Sequence, residues 1–408
     1  MNTSLWISRR LSLRGKGSST AGVVIAVSGV ALALIIMEFT LAIVVGFKDG
    51  IRNRLMGFDA QVTVCPADGR YLQATPELIE SVRKRVPDAD LRLALRQPAL
   101  LKTDNDFEGL VFLAQSPDAD YSFEKGNIVE GEWPDYASDS CDNKIVISVP
   151  TAKALGIGIG DKVYSTFFVD GNVKMRRHSI AALFQSNFGE YDRTVAYASL
   201  NGLQKVAGID SISGNRLDIR GIDIDNISMT ADRLQAGLVS DAAAGTLDSY
   251  YPVDSVLRTG ALYFNWLSLL DTNVTVIFIL ILCVAGLTLV SSLFILILEH
   301  VTMIGVLRAM GASKMFVRNI FVGMAMRLVG LGMIIGNVLG IGLLLIQKHT
   351  HIVPLDPEMY YLNSVPVEIQ PPAFVALNIG VAAVAWLILV LPARLAASID
   401  PAKAVKYE

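Results

Sequence analysis

Four long apolar runs constrain this chain more than any other feature. Residues 21–47, 274–298, 319–346 and 373–391 each supply a stretch of about 18 or more predominantly apolar residues, enough for a helix to cross a hydrocarbon core roughly 30 Å thick. Lipid cannot hydrogen-bond a bare backbone, so segments of this kind span as helices. Composition agrees, with 52% of the 408 residues hydrophobic and 18% charged, a more apolar balance than soluble chains carry. The first run is longer than the ~7–15 residues of a signal-peptide core and has no small-x-small cleavage site after it, so it reads as a retained span.

More than half of the residues lie between the first and second runs, and they are far more polar than the rest. The expected fold is therefore four transmembrane α-helices with a large α+β extracytoplasmic domain between helices 1 and 2. Orientation follows from short flanks. Arg9, Arg10, Arg14 and Lys16 precede the first span, Arg308, Lys314 and Arg318 lie between the second and third, and Arg394, Lys403 and Lys406 follow the fourth. The positive-inside rule puts these in the cytoplasm. The loop from 348 to 372 carries Asp356, Glu358 and Glu368 against one lysine and belongs outside. Both termini are then cytoplasmic.

The resulting division is an amphipathic cytoplasmic segment at 1–20 carrying Leu5, Trp6, Ile7 and Leu11, a first span at 21–47, and the domain at 48–260. A lead-in and second span follow at 261–298, a cytoplasmic helix and loop at 299–318, and a third span at 319–346. An outer loop at 347–372, a fourth span at 373–391 and a tail at 392–408 complete the chain. Within the domain, alternation and turn residues predict strands at 60–64, 110–114, 144–149, 162–169 and 217–220. Helices are predicted at 76–86, where Thr75 caps and Pro76 opens the first turn, and at 151–155, 200–206 and 228–239.

No catalytic residue or bound cofactor is assigned. The chain has no G-x-x-x-x-G-K-[ST], H-E-x-x-H or G-x-S-x-G motif. The run from Gly156 to Asp161 lacks phosphate-loop spacing and precedes a strand, so a tight turn is expected. His349 and His351 with Asp356 are too few for a metal, and none is assigned. Cys65 and Cys141 would share an oxidising compartment, with a disulfide an even choice; Cys283 reads as lipid or helix packing.

The residues from Glu299 to Ser313 form a short helix candidate between two spans. Val301, Ile304, Leu307 and Met310 are spaced for one face, Met303 adds to the apolar content, Arg308 lies near the end and Gly311 stands as the cap. A surface helix with such a stripe needs a partner, either a protein or the lipid surface.

Five segments together carry a family resemblance: Glu299-x-x-x-Met-Ile-Gly-x-Leu-Arg-Ala-x-Gly-Ala312, Phe264-Asn-Trp-Leu-x-x-Leu-Asp-Thr-Asn273, Leu355-x-Pro-x-x-Tyr-Tyr361, Val365-Pro-Val367 and Asp400-Pro-x-Lys-Ala-Val405. With the four-span layout they resemble the LolC/LolE lipoprotein-releasing permeases of the FtsX/MacB superfamily of ABC transporters. The resemblance implies a permease, not an enzyme, working with a separate LolD-like ATPase dimer that binds the ATP and Mg, with 301–309 as the coupling helix. It implies a second permease subunit, identical or paralogous, lipoprotein substrates drawn from the lipid membrane, a LolA-like periplasmic carrier, and no nucleic acid. A hydrophobic chamber is expected where the first span of one subunit meets the second of its partner. Phe39, Leu41, Ile43, Val44 and Phe47 would face Leu267, Leu270, Val274 and Phe278, although ordinary lipid contact explains each equally well. A MacB-like exporter, an FtsX-like hydrolase regulator and a membrane-anchored structural or sensor protein are the alternatives.

Two charges fall inside spans. Glu38 lies mid-way along the first, where a carboxylate is costly and marks a functional candidate, and Arg327 in the third is its possible partner unless it snorkels to the interface. Gly332, Gly336 and Gly340, four residues apart, permit close helix packing.

Overall fold

The computed structural model describes residues 19–103, 106–356, 360 and 362–396. The amphipathic segment, Tyr361 and the Asp400–Val405 motif of the tail lie outside the described residues. The chain divides into two compact units. One holds the sequence up to Asp49, Leu267–Pro354 and Ser364 onward; the other holds Gly50–Trp266 and Leu355–Asn363.

The first unit is helical. Helix α1 is Ser19–Phe58, α2 is Ala261–Glu299, α3 is Val301–Ala309, α4 is Lys314–Thr350 and α5 is Pro371–Ala396. All but α3 are long and apolar enough to cross a membrane. Helix α1 continues past residue 47 and α2 begins well before 274, because hydropathy marks where the apolar residues stop while a helix goes on until something breaks it. Three apolar clusters hold this unit. The largest joins Leu289, Leu293 and Leu296 of α2 to Ile320, Phe321 and Met324 of α4 and to Ala385 and Leu389 of α5. A second joins Leu34 and Met37 to Val381, and a third Ala42 to Leu344 and Phe374.

The glycine series sets the α1–α4 contact. A Cβ on Gly332 would lie 2.9 Å from the Val27 carbonyl oxygen, and one on Gly336 would lie 3.0 Å from that of Ala31. Only residues without a side chain let backbones approach so closely. On the opposite side of α4, Asn337 donates to Asn378 of α5 at 2.8 Å and Asn378 donates back at 3.1 Å. Beyond the helix end, Gln347 accepts from the Val353 N–H at 3.1 Å and donates to the Val365 carbonyl at 3.2 Å.

The second unit is the inserted domain. Its strands are β1 (Val62–Val64), β2 (Leu72–Gln73), β3 (Asp90–Lys102), β4 (Phe107–Gln115), β5 (Ile128–Gly131), β6 (Lys144–Ser148), β7 (Lys162–Val169), β8 (Asn172–Phe184), β9 (Val195–Tyr197), β10 (Ser213–Gly214), β11 (Arg216–Arg220) and β12 (Val253–Ser255). Ten form one sheet in the order β12-β1-β11-β3-β4-β9-β6-β8-β5, with β7 paired to β3 and β8, while β2 and β10 make a separate ribbon. Pairing is antiparallel except for β4 with β9 and β6 with β8, so the domain is α+β.

One core packs Leu95, Leu101, Phe112, Ile145 and Phe167 beneath the helix Leu200–Ala207. A second packs Val62, Val64, Leu217 and Ile219 beneath the helices Pro76–Arg83 and Ile227–Ala243. The helix starts obey their capping residues: Thr75, Ser148 and Ser199 each accept a backbone N–H three residues on. The glycine run is a turn, with Gly156 at φ +65° ending one helix and Gly160 at +85° leading into β7. Sequence patterning misses β2, β3, β5, β8, β9, β10 and β12. In β3 the disguise is polar: Arg92 is buried because it pairs with Asp90 at 2.6 Å and bonds the Asp120 carbonyl at 2.9 Å. Cys65 and Cys141 are unbonded.

An ion network sits where α1 gives way to the domain. Asp59 Oδ1 accepts from Arg96 and from Arg216, each at 2.7 Å, and Arg216 also bonds Asp218 at 3.0 Å and Thr63 at 2.7 Å. Burial pushes the Asp59 carboxyl up, but the two guanidinium groups and the Ala60 N–H outweigh it and hold it below its ordinary range. The outer-loop piece Leu355–Asn363 belongs to the same unit: the Leu355 N–H bonds the Asn363 carbonyl at 3.0 Å, and Asn187 donates to the Asn363 side chain at 3.1 Å. Leu362 lies against Gly50.

His178 supplies a pH test. It is buried beside Phe112 and Phe167 with Nδ1 2.9 Å from Ser165 Oγ. Burial first, and Arg176 second, lower its pKa to about 4, against roughly 6.5 in an unfolded chain. The unfolded chain therefore gains a proton that the fold refuses, and stability is lost as pH falls from about 6.5 towards 4. Replacing His178 with Asn is expected to flatten that part of the unfolding-midpoint profile of the detergent-solubilised chain; an unchanged slope refutes the assignment.

Candidate functional site

Helix α3 runs from Val301 to Ala309, the bounds implied by the resemblance and narrower than the 299–313 candidate read from the residues. Glu299 is the last residue of α2 and is exposed. Gly311 takes φ +91°, a conformation L side chains disfavour, which turns the chain towards α4. Arg308 donates to the Ala312 carbonyl at 3.2 Å, and Ser313 caps α4 by accepting from the Phe316 N–H at 3.2 Å.

The apolar stripe faces differently from its expected role. Ile304 is fully buried with Val317, Ile320 and Phe321, and Met303 and Leu307 pack on the same cluster. The chain itself covers this face. Outward on α3 lie Thr302, Val306, Ala309 and Met310, with Val306 50% and Met310 79% exposed. These positions share a helix face by their three- and four-residue spacing. Of the residues assigned to ATPase coupling, Glu299, Met310 and Gly311 are exposed and Ile304 is not; Val306, not among them, is exposed as well. Periodicity identifies a stripe but not which neighbour covers it, and here the start of α4 does.

The chamber residues disperse in a similar way. Phe39 and Leu41 pack against Ala42, Leu344 and Phe374, and Phe278 packs against Leu34, Met37 and Val381. Leu267 is buried, and Ile43, Val44, Phe47, Leu270 and Val274 are half-buried. On α2 the line Leu267, Leu270, Val274 and Phe278 is the inward face. Its outward face carries Leu269, Val276, Leu280, Val284 and Leu287. Only 11% of the most apolar window of α2 is buried, against 28–39% for the other three spans, so α2 is the span that most needs lipid or another subunit to cover it. A small apolar crevice lies deeper, between Ala33 and Met37 of α1, Gly286 and Leu289 of α2, and Val381 and Ile388 of α5.

Glu38 is completely buried, and neither carboxylate oxygen has a hydrogen-bond partner. It lies against Gly340 of α4, where a Cβ would overlap its Oε2. Arg327 is therefore not its partner. The guanidinium belongs thirteen residues nearer the start of α4, about 20 Å along the axis.

The domain carries an apolar surface that the sequence did not reveal. Strand register aligns Phe107, Lys102, Tyr164 and Arg177 in one row across β4, β3, β7 and β8, and Gly109, Leu100, Thr166 and Met175 in the next. Phe168 opposes Val173 beyond them. Phe107, Phe168, Val173 and Met175 are all more than half exposed. Exposed apolar side chains gathered on one sheet face, here interspersed with Lys102, Thr166 and Arg177, mark a candidate interaction surface. The signal lay in the alternation of β7, which puts Val163, Ser165 and Phe167 inside and Tyr164 and Phe168 outside.

Residues 275–401 match the FtsX-like permease C-terminal domain. With the four spans and the domain inserted after the first, the chain resembles an FtsX-like ABC permease of the LolC/LolE type. It is 26% identical over 405 residues to the lipoprotein-releasing system transmembrane protein LolC of Xylella fastidiosa strain Temecula1, an alignment covering 93% of this chain and 92% of that one. It is 24% identical over 437 residues to LolC of Neisseria meningitidis serogroup B, covering 99% of both. Among solved structures, the periplasmic region of MacB from Actinobacillus actinomycetemcomitans aligns with 50% of this chain and 92% of its own at 11% identity and a TM-score of 0.33. The extracellular domain of the ABC-type transporter YknZ aligns with 48% of this chain and 99% of its own at 13% identity and a TM-score of 0.32.

The two faces of α3 separate in stability. Ile304→Ala empties a packed site and is expected to cost about 2–4 kcal/mol, whereas Val306→Ala should stay within about 0.5 kcal/mol. Thermal denaturation of the purified chain in detergent measures both, and equal losses would contradict the burial assigned to α3.

Proposed function

We propose that this chain is a permease subunit that extracts lipoproteins from the inner membrane of a Gram-negative cell and passes them to a periplasmic carrier, driven by a separate ATPase. The observation that carries this reading is the similarity along nearly the whole chain to lipoprotein-releasing proteins. In this reading both termini and α3 are cytoplasmic, the inserted domain is periplasmic, and a second permease subunit completes the transporter across the open face of α2.

The chemistry supports the arrangement. Baring three long acyl chains to water would cost on the order of 30 kcal/mol, at ~0.8 kcal/mol per methylene, so the lipid has to travel between apolar surfaces. Work has to enter from outside this chain, and Val306 and Met310 on α3 offer an apolar patch for the groove of a LolD-like ATPase dimer that holds ATP and Mg. On the domain, the sheet face bearing Phe168, Val173 and Met175 suits a LolA-like carrier, whose own cargo site must be apolar.

Reconstitution tests this directly. Proteoliposomes holding the permease pair, the ATPase and an acylated lipoprotein are expected to release the lipoprotein only when ATP and carrier are both present. ATP-independent release, or none, would overturn the reading. Val306→Asp and Met310→Asp should each lower ATP-driven release at least tenfold without altering membrane insertion, while Met175→Asp should lower carrier capture and leave ATP hydrolysis intact. Full release by both α3 variants would remove this helix from coupling.

A further inference from the structure

Glu38 is the residue that the transport reading leaves unused. It is fully buried within the membrane unit, and both carboxylate oxygens lack a hydrogen-bond partner. Its headgroup rests on Gly340, the last of three glycines at which α1 and α4 touch backbone to backbone. Any side chain at position 340 would occupy the space of Oε2.

Among the described residues no charge compensates it. Helix α4 has no titratable side chain between Arg327 and Lys348, α5 has none before Arg394, and α2 has only Cys283 between Asp271 and Glu299. Along α1 the next ionisable residue is Lys48, which is paired to Asp271 at 2.7 Å. Lys348 is likewise paired, to Glu368 at 3.0 Å. An isolated carboxylate in such surroundings is far costlier than the neutral acid, which loses only a dipole's hydration. Packing alone would have been served by an apolar residue of the same size.

We propose that Glu38 is a proton-binding site of the membrane unit: the carboxyl carries its proton while α1 and α4 remain in contact along the glycines, and releases it to water only when that contact parts. Separation of the two helices at this level is then linked to proton release, and alkaline conditions favour the separated state. The proposal rests on the α1–α4 geometry and not on the identity of any cargo.

Infrared difference spectroscopy of the full-length permease in lipid nanodiscs tests it, comparing wild type with the isosteric Glu38→Gln. The expected result is a protonated-carboxyl C=O band, absent from E38Q, that persists at neutral pH, well above the ~4.3 at which an ordinary glutamate titrates. Carboxylate bands alone at neutral pH would overturn the proposal. Gly340→Ala then asks whether the contact holds the proton, since its methyl group takes the space of Oε2 and pushes the carboxyl off its seat on α4. In this variant the C=O band should disappear at least one pH unit lower than in wild type. An unchanged titration in G340A would show that the α1–α4 contact does not control the site, and would equally overturn the proposal.

Discussion

Backbone-to-backbone approach of α1 and α4 is the contact around which the membrane unit is arranged. Helices in lipid gain nothing by hiding apolar surface from one another, so their association rests on close packing and on the few polar bonds available. The glycines at 332, 336 and 340 supply the first, and the reciprocal amide pair of Asn337 and Asn378 supplies the second on the other side of α4. Helix α4 is thereby held from both sides. Helix α2 makes its close approaches through side chains, Thr288 against Gly29 of α1 and Gly286 against Ile388 of α5, and much of its apolar window is left for lipid or a second subunit.

What could be read from the sequence followed the physics that writes itself locally. The four spans and the helix starts capped by Thr75, Ser148 and Ser199 depend on neighbours a few residues away, and these the pattern reveals. The facing of α3 depends on Val317, Ile320 and Phe321, which a periodic stripe cannot name. In the domain, β3 hides behind Arg92 and Gln97, whose burial makes sense only once partners distant in sequence, the carbonyls of Asp120 and Phe168, are known. The chamber residues were chosen by depth along their helices, whereas their surroundings are set by rotation about the helix axis. Glu38 was legible as an oddity from its position alone, but its isolation from Arg327 was not, because pairing depends on height along α4.

The inserted domain solves a different problem. Its first strand follows closely on α1, and Asp59 lies at the junction, clamped by Arg96 from β3 and Arg216 from β11. Three charges drawn from distant parts of the sequence thus fix the residue at which the helical segment ends. Buried charge of this sort adds little net stability when compared with apolar packing, yet removing one member leaves the others uncompensated. Its role here is positional: it fixes where the sheet begins relative to the last turn of α1.

The loop piece Leu355–Asn363 gives the domain an unusual schedule. Its partners, Gly50 and Asn187, are made early on the ribosome, whereas the loop appears only after two further apolar helices have been synthesised. Contacts separated by that much chain are slow to form and late to stabilise. The domain must therefore wait, nearly complete, for a segment that arrives after most of the chain has been translated. A nascent chain stalled before that point would present an unfinished surface to the quality-control machinery of its compartment.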